Sequence, residues 1–140
     1  MNKIEHIGIA VKDIEKSNEL FAKILKTPPY KTEIVESEGV ITSFFMVGET
    51  KIELLQATNP ESAIAKFIEK KGEGIHHIAF GVDNTQAEIT RLLSEGIEMI
   101  HSSPKNGADN KTIAFAHPKS TNSVLMEICA EIKNNNGAAS

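Results

Sequence analysis

A stretch of eight residues occurs twice in this chain, and each copy begins with a histidine. The copies read HIGIAVKD at residues 6–13 and HIAFGVDN at residues 77–84, an offset of 71 positions. Both alternate larger apolar residues with small or polar ones, which is the pattern of a strand with one buried face. The repeat predicts two copies of one structural module, each with an imidazole in a strand that otherwise suits a protein core.

The residues after each copy follow the same plan. Asp13 is placed to cap a helix whose apolar residues recur at helical spacing, and TQAE at 85–88 has the form of a capping box that opens a second such helix. Each half then ends in apolar, strand-like segments joined by a turn or loop. These segments are VITSFFMVG (40–48) and TKIELLQA (50–57) in the first half, and KTIAFAHP (111–118) and SVLMEICA (123–130) in the second.

A helical pattern, NPESAIAKFIEKKGEG (59–74), lies between the halves, and we expect Asn59 to cap it with Pro60 at its first position. The residues after 131 show no periodicity and are expected to form a flexible tail. The chain is therefore predicted to be a single domain, residues 1–131, followed by a tail at 132–140. Its parts are a first module at about 3–57, a linking helix at 59–72 and a second module at about 74–131.

Each histidine is expected to lie on a strand face whose next residue is small. Because strand side chains alternate between faces, His6 shares its face with Gly8, and His77 shares its face with Ala79. Small residues leave space beside a ring, as a ligand site requires, whereas a face that packs in a core is normally filled.

Two glutamates interrupt apolar strands at matching places in the halves, Glu53 in KIELL and Glu127 in LMEIC. A carboxylate buried in such a strand is costly unless it is paired or binds a metal ion. Taken alone, a strand histidine is most often a core or edge residue and a strand glutamate most often faces solvent, but here all four residues recur at equivalent places. His6, Glu53, His77 and Glu127 are therefore predicted to bind one divalent ion, with cobalt, nickel, manganese, zinc and magnesium as candidates.

Composition limits the partners of this chain. The formal net charge of −4 disfavours nucleic acid, and no apolar run approaches the ~20 residues that a membrane helix needs. The single cysteine, Cys129, excludes an internal disulfide and suits a reducing compartment. Since a strand pattern begins at the N-terminus with no apolar signal segment before it, we expect a cytoplasmic protein.

The motifs HIGIAV, IELL, HHIAF and MEI together resemble the vicinal oxygen chelate superfamily, which includes glyoxalase I, extradiol dioxygenases and antibiotic-resistance proteins. Within it, GEGIHHIAFGVDN (72–84) and IAFAHPKSTNSVLMEI (113–128) look most like the methylmalonyl-CoA epimerases. The resemblance covers roughly residues 3–131. It implies an α+β fold in which two pseudo-symmetric βαβββ modules form one curved mixed-sheet cleft, with one metal ion per chain and a homodimer. It also assigns the metal ligands to His6, Glu53, His77 and Glu127.

The activity implied by this resemblance is the metal-dependent interconversion of the C2 epimers of methylmalonyl-CoA, an acyl-CoA thioester. A base removes the proton alpha to the thioester, the cation stabilises the enolate, and a proton returns to the opposite face. We expect Glu127 and Glu53, which come from opposite halves, to be the two bases. Lys119, in the HPKS run, is expected to pair with a substrate carboxylate or a CoA phosphate, the alternative being a solvated surface lysine.

Three other functions stay open on the sequence alone. A glyoxalase I-type lyase acting on a glutathione hemithioacetal uses the same kinds of ligand. An extradiol dioxygenase holds Fe(II) with two histidines and one carboxylate, so a fourth ligand and a chain of 140 residues disfavour it. A metal-free protein that sequesters a small molecule can share the fold, because fold does not determine function, but it has no need of four ligands in register.

Overall fold

The computed structural model describes residues 1–132, and these form two compact units. One unit is Glu5–Ile78, and the other joins Met1–Ile4 to the described residues from Ala79 onward. Three α-helices and a mixed sheet of eight strands make up this part of the chain, so the predicted α+β class is confirmed. In chain order the elements are β1 (Lys3–Ala10), α1 (Ile14–Leu25), β2 (Lys31–Val35), β3 (Val40–Val47), β4 (Thr50–Ala57), α2 (Ala63–Lys71), β5 (Gly74–Gly81), α3 (Thr85–Ser94), β6 (Lys105–Gly107), β7 (Lys111–Ala116) and β8 (Met126–Glu131).

The strand order in the Glu5–Ile78 unit is β2-β3-β4-β1, with the first residues of β5 next to β1. Strands β1 and β4 are parallel, and their register pairs His6 with Lys51 and Gly8 with Glu53. Residues paired across neighbouring strands point to the same face of a sheet. The register therefore places these four side-chain positions on one face.

The opposite face of these strands is covered by α1. Its apolar side chains pack against a buried cluster that includes Phe45 and Leu54. Asp13 caps the helix as predicted, because its side chain accepts a hydrogen bond from the Lys16 backbone N–H at 3.1 Å. The helix ends at Leu25, and its C-cap, Lys26, adopts a left-handed conformation with φ of 59°. His6, Lys51 and Glu53 therefore lie on the face that α1 does not cover.

The unit that begins at Ala79 has the strand order β8-β7-β6, and the last residues of β5 lie next to β8. Helix α3 packs on these strands through Ile89, which is fully buried against Ile128 and its neighbours. Glu127 is paired in register with Phe115 and, one residue before Ile128, points to the face away from α3. The matched strands of the two halves thus each carry a glutamate on the face that their helix does not cover.

Two helix starts differ from the prediction. The side chain of Asn59 accepts from the backbone N–H of Glu61 in a tight turn, so Pro60 precedes the helix and Ser62 is the cap that accepts from Ala65. In the second half the cap is Asn84. The residue after it, Thr85, instead forms hydrogen bonds with Thr112 on β7. In both cases a residue with a capping side chain has a competing local or tertiary hydrogen bond.

The last two strands of the second half have different bounds from those predicted. Strand β8 starts at Met126, later than predicted, because Pro118–Ser120 forms a 3-10 turn and Asn122 and Ser123 have positive φ values of 55° and 69°. Asp109 also adopts this left-handed conformation, with φ of 58°. Asn and Asp tolerate it better than most residues.

None of the helices within residues 1–132 combines the length and apolar composition that crossing a membrane requires. The tail predicted for 132–140 lies, apart from Ile132, outside the described residues.

Candidate active site

The two histidines of the repeat touch each other. Nε2 of His6 lies 3.0 Å from Nε2 of His77, and the rings meet edge to face with their centroids 5.1 Å apart. Both side chains are buried, at 5% and 6% exposure. Two histidines that are 71 residues apart in the sequence therefore have their imidazole nitrogens in contact inside one compact unit.

Gly8 provides the space in which the His77 ring lies. A Cβ atom at this position would be 2.2 Å from Cε1 of His77 and under 3 Å from both ring nitrogens. No carbon can approach an aromatic ring so closely, so only glycine fits beneath the ring in its present place. The small residue beside His6 thus makes room for the second histidine.

Gly8→Ala is expected to push the His77 ring out of place, with a loss of about 1–3 kcal/mol of unfolding free energy from overpacking. Displacing one predicted ligand side chain is also expected to lower divalent-cation affinity by about 10-fold or more. Urea unfolding and competition with a chelator measure the two effects. Gly81→Ala is the matched control, since a Cβ there would meet only the exposed side chains of Asn2 and Lys3 and no buried ring. Unchanged affinity in Gly8→Ala would contradict the assignment.

Glu53 is the third predicted ligand residue in this unit, and its carboxylate lies beside the His6 ring. Its carboxylate is 4% exposed, and Oε2 is 3.1 Å from Nδ1 of His6. Three of the four side chains predicted to share an ion are therefore grouped within Glu5–Ile78.

The remaining predicted residues belong to the other unit. Glu127 is 5% exposed in the middle of an apolar strand, where a carboxylate has a high desolvation cost. Lys119 is on the surface, and its Nζ lies 3.0 Å from a carboxylate oxygen of Glu98. The roles given to Glu127 and Lys119 stay predictions.

Sequence reasoning missed a buried ion pair that contacts the site. Oε1 of Glu5 is 2.6 Å from Nδ1 of His6, and its Oε2 accepts a hydrogen bond from Lys51 Nζ at 2.6 Å. Burial raises the pKa of Glu5, but the hydrogen bonds and charges of His6 and Lys51 outweigh that effect and lower the pKa to about 2. Strand alternation assigns Glu5 to the face opposite His6, which hides this contact from the sequence pattern.

His76 contacts the other side of His77. Its Nδ1 lies 2.9 Å from Nδ1 of His77, and its ring packs edge to face on Phe67 of α2 at a centroid distance of 5.0 Å. The His77 ring is therefore fixed at both nitrogens and by Gly8 below it.

The geometry fits a divalent cation. Two nitrogens that each bind one ion at ~2.1 Å and at a right angle are about 3.0 Å apart, and the two Nε2 atoms have this separation. The ring of His77 occupies a cradle that any Cβ at Gly8 would fill, so the position of this nitrogen is built into the backbone. Imidazole and carboxylate donors together suit zinc, cobalt, nickel and manganese.

Known proteins resemble this chain in both sequence and fold. Residues 5–115 match the family model of the Glyoxalase/Bleomycin resistance protein/Dioxygenase superfamily. The chain is 37% identical to the uncharacterized protein YqjC of Bacillus subtilis over 129 residues, covering 92% of each chain. It is 35% identical to the mitochondrial methylmalonyl-CoA epimerase of Dictyostelium discoideum, covering 91% of this chain and 78% of that one.

A solved structure gives the same result at the level of the fold. A single-residue variant of the methylmalonyl-CoA epimerase of Streptomyces coelicolor, in complex with 2-nitronate-propionyl-CoA, superposes with a TM-score of 0.90. The match covers 100% of this chain and 98% of that chain at 29% identity. With a family model matching most of its length and relatives above 30% identity, this chain belongs to the glyoxalase/bleomycin resistance protein/dioxygenase superfamily.

Proposed function

We propose that this protein is a metal-dependent epimerase that interconverts the two C2 epimers of methylmalonyl-CoA. The observation that carries the proposal is the buried pair of imidazole Nε2 atoms, 3.0 Å apart, of which the His6 ring also contacts the Glu53 carboxylate through Nδ1. It occurs in a chain whose relatives include a methylmalonyl-CoA epimerase at 35% identity.

The reaction requires removal of a proton from C2, between a thioester and a carboxylate. His6, Glu53, His77 and Glu127 would hold the cation, which is cobalt, nickel, manganese, zinc or magnesium in this proposal. When bound, a divalent ion supplies a Lewis acid that withdraws electron density from the substrate oxygens and so makes the C2 proton more acidic. The buried surroundings of His6 and His77 exclude water, which strengthens every electrostatic interaction there.

Proton transfer on both faces of a planar intermediate requires two bases. Glu53 and Glu127 are proposed for these roles, because they occupy equivalent strands of the two repeats and both are buried. One would take the proton from C2 and the other would return a proton to the opposite face.

The carboxylate and the CoA phosphates of the substrate also need a positively charged side chain to bind them. Lys119 is proposed for this role, since its partner Glu98 is an exposed group and such surface ion pairs contribute only ~0–1 kcal/mol. A substrate carboxylate or CoA phosphate can therefore replace Glu98 at little cost. We also propose a homodimer, on the basis of the family resemblance.

The test is an assay of purified protein with one epimer of methylmalonyl-CoA in deuterated water, before and after chelation and with each candidate ion added back. Epimer formation with deuterium at C2, lost on chelation and restored by an ion, is the expected result. Formation of S-lactoylglutathione from the glutathione hemithioacetal instead would identify a glyoxalase I-type lyase. Tight binding of a small molecule without turnover or bound metal would identify a sequestering protein.

A further inference from the structure

We propose that Glu5, held by Lys51, is a positioning residue that keeps the proton of His6 on Nδ1 and so leaves Nε2 as the ligand nitrogen. The inference rests on the proposed function, in which His6 binds a cation. It goes further by assigning which nitrogen binds and which residues enforce that choice.

The first step is the chemistry of the groups around His6. A neutral imidazole carries one proton, on either Nδ1 or Nε2, whereas an ionised carboxylate only accepts hydrogen bonds. Glu5 is ionised, because the Lys51 ammonium donates to its Oε2 at 2.6 Å. Its Oε1 lies 2.6 Å from Nδ1 of His6, so that nitrogen must be the donor. In the neutral ring, the form that binds a metal ion, the lone pair is then on Nε2, which faces His77.

The second step is the direction of the hydrogen bonds beyond His6. With Nε2 of His6 as an acceptor, Nε2 of His77 must donate across the 3.0 Å contact in the metal-free protein. Nδ1 of His77 then accepts from Nδ1 of His76 at 2.9 Å. The Glu5 carboxylate thus fixes the tautomer of His6, which fixes that of His77, which in turn fixes that of His76.

The third step separates Glu5 from the other nearby carboxylate. Glu53 Oε2 is 3.1 Å from the same Nδ1, half an ångström farther than Glu5. Glu5 is itself held in place by Lys51, and both members of that ion pair are buried. Charge-assisted hydrogen bonds are shorter and stronger than neutral ones. Glu5 is therefore the closer and firmer acceptor at Nδ1, and Glu53 is the more distant one.

The substitution Glu5→Gln reverses this arrangement without changing the shape of the side chain. Glutamine has one oxygen that accepts and one amide group that donates. Lys51 only donates, so the amide oxygen must turn toward Lys51 and the amide NH₂ must face Nδ1 of His6. His6 then has to accept at Nδ1 and carry its proton on Nε2, where a cation has to displace it.

The experiment reads the tautomers directly by nitrogen-15 NMR of the metal-free protein at about pH 8, above the ordinary histidine pKa of ~6.5. Wild-type protein is expected to show His6 protonated on Nδ1, and Glu5→Gln is expected to show it protonated on Nε2. Cation affinity, measured with zinc against a chelator, is expected to fall about 10–100-fold in Glu5→Gln. Glu19→Gln, the same change at an exposed position of α1, is the control and should match wild type.

Two results would overturn the proposal. One is wild-type His6 protonated on Nε2, a measurement that needs no variant and so stands even if Glu5→Gln fails to fold. The other is a tautomer change in Glu53→Gln but not in Glu5→Gln, which would assign the positioning role to Glu53. Absence of turnover on methylmalonyl-CoA would contradict the proposed function alone, because the tautomers are read without substrate or ion.

Discussion

His77→Ala is expected to lower epimerase turnover on the order of 10²–10³-fold, as loss of one electrostatic stabilising group does in other enzymes. The imidazole of His77 contributes a nitrogen 3.0 Å from that of His6, and its ring fills the space over Gly8. Removing it leaves a single imidazole for the cation. Turnover on methylmalonyl-CoA and metal content after purification without added ions measure the effect.

The control for His77→Ala has to separate loss of the site from loss of the fold. His101→Ala removes a histidine in the other unit, where its Nδ1 accepts a hydrogen bond from the Phe115 backbone, and it is expected to keep its metal and its turnover. Circular dichroism and thermal unfolding of both variants show whether each is folded. A folded His77→Ala protein with wild-type metal content and turnover would contradict the proposed site.

Glu53→Gln and Glu127→Gln are each expected to slow epimerisation by ~10²–10⁴-fold, the usual contribution of a general acid or base. Each variant keeps the shape of the side chain but loses the carboxylate that is proposed to move the proton. If the two bases act on opposite faces of the substrate, each variant should still exchange the C2 proton of one epimer with solvent while failing to convert it. Deuterium exchange measured separately on each epimer therefore assigns each base to a face.

Glu131→Gln is the matched control for these variants, because Glu131 lies on the same strand as Glu127 but pairs with Lys111 and is largely exposed. It is expected to exchange and epimerise both substrates at the wild-type rate. Equal exchange of both epimers by both active-site variants would contradict the assignment of one base to each face and would favour a single base.

Much of the fold follows from the sequence because strand alternation is a strict geometric rule. The repeat around His6 and His77 predicts two strands in equivalent roles, and the structure has them as β1 and β5. The position of Gly8 predicts space beside a ring, although not that the ring of His77 would fill it. The register between β1 and β4 pairs Gly8 with Glu53 and so places Glu53 on the same face of the sheet.

The features that the sequence does not predict are those in which neighbouring side chains compete for the same hydrogen-bonding role. Asn59 and Ser62 both have capping side chains, and which of them caps α2 depends on a turn that the sequence pattern does not define. The contact of Glu5 with His6 is missed for a related reason, since alternation puts adjacent residues on opposite faces. Lys51 is the only charged member of its strand besides Glu53, but its buried partner becomes visible only in three dimensions.

The position of the His77 ring over Gly8 also limits how the halves of this chain can be recombined. The equivalent position in the second half is Ala79, so the two repeats are not interchangeable copies. A chain assembled from two copies of the second strand would carry a methyl group where the structure leaves 2.2 Å to the ring of His77. A chimera that places the second strand in the first position must therefore restore glycine at position 8 for the His77 ring to keep its place.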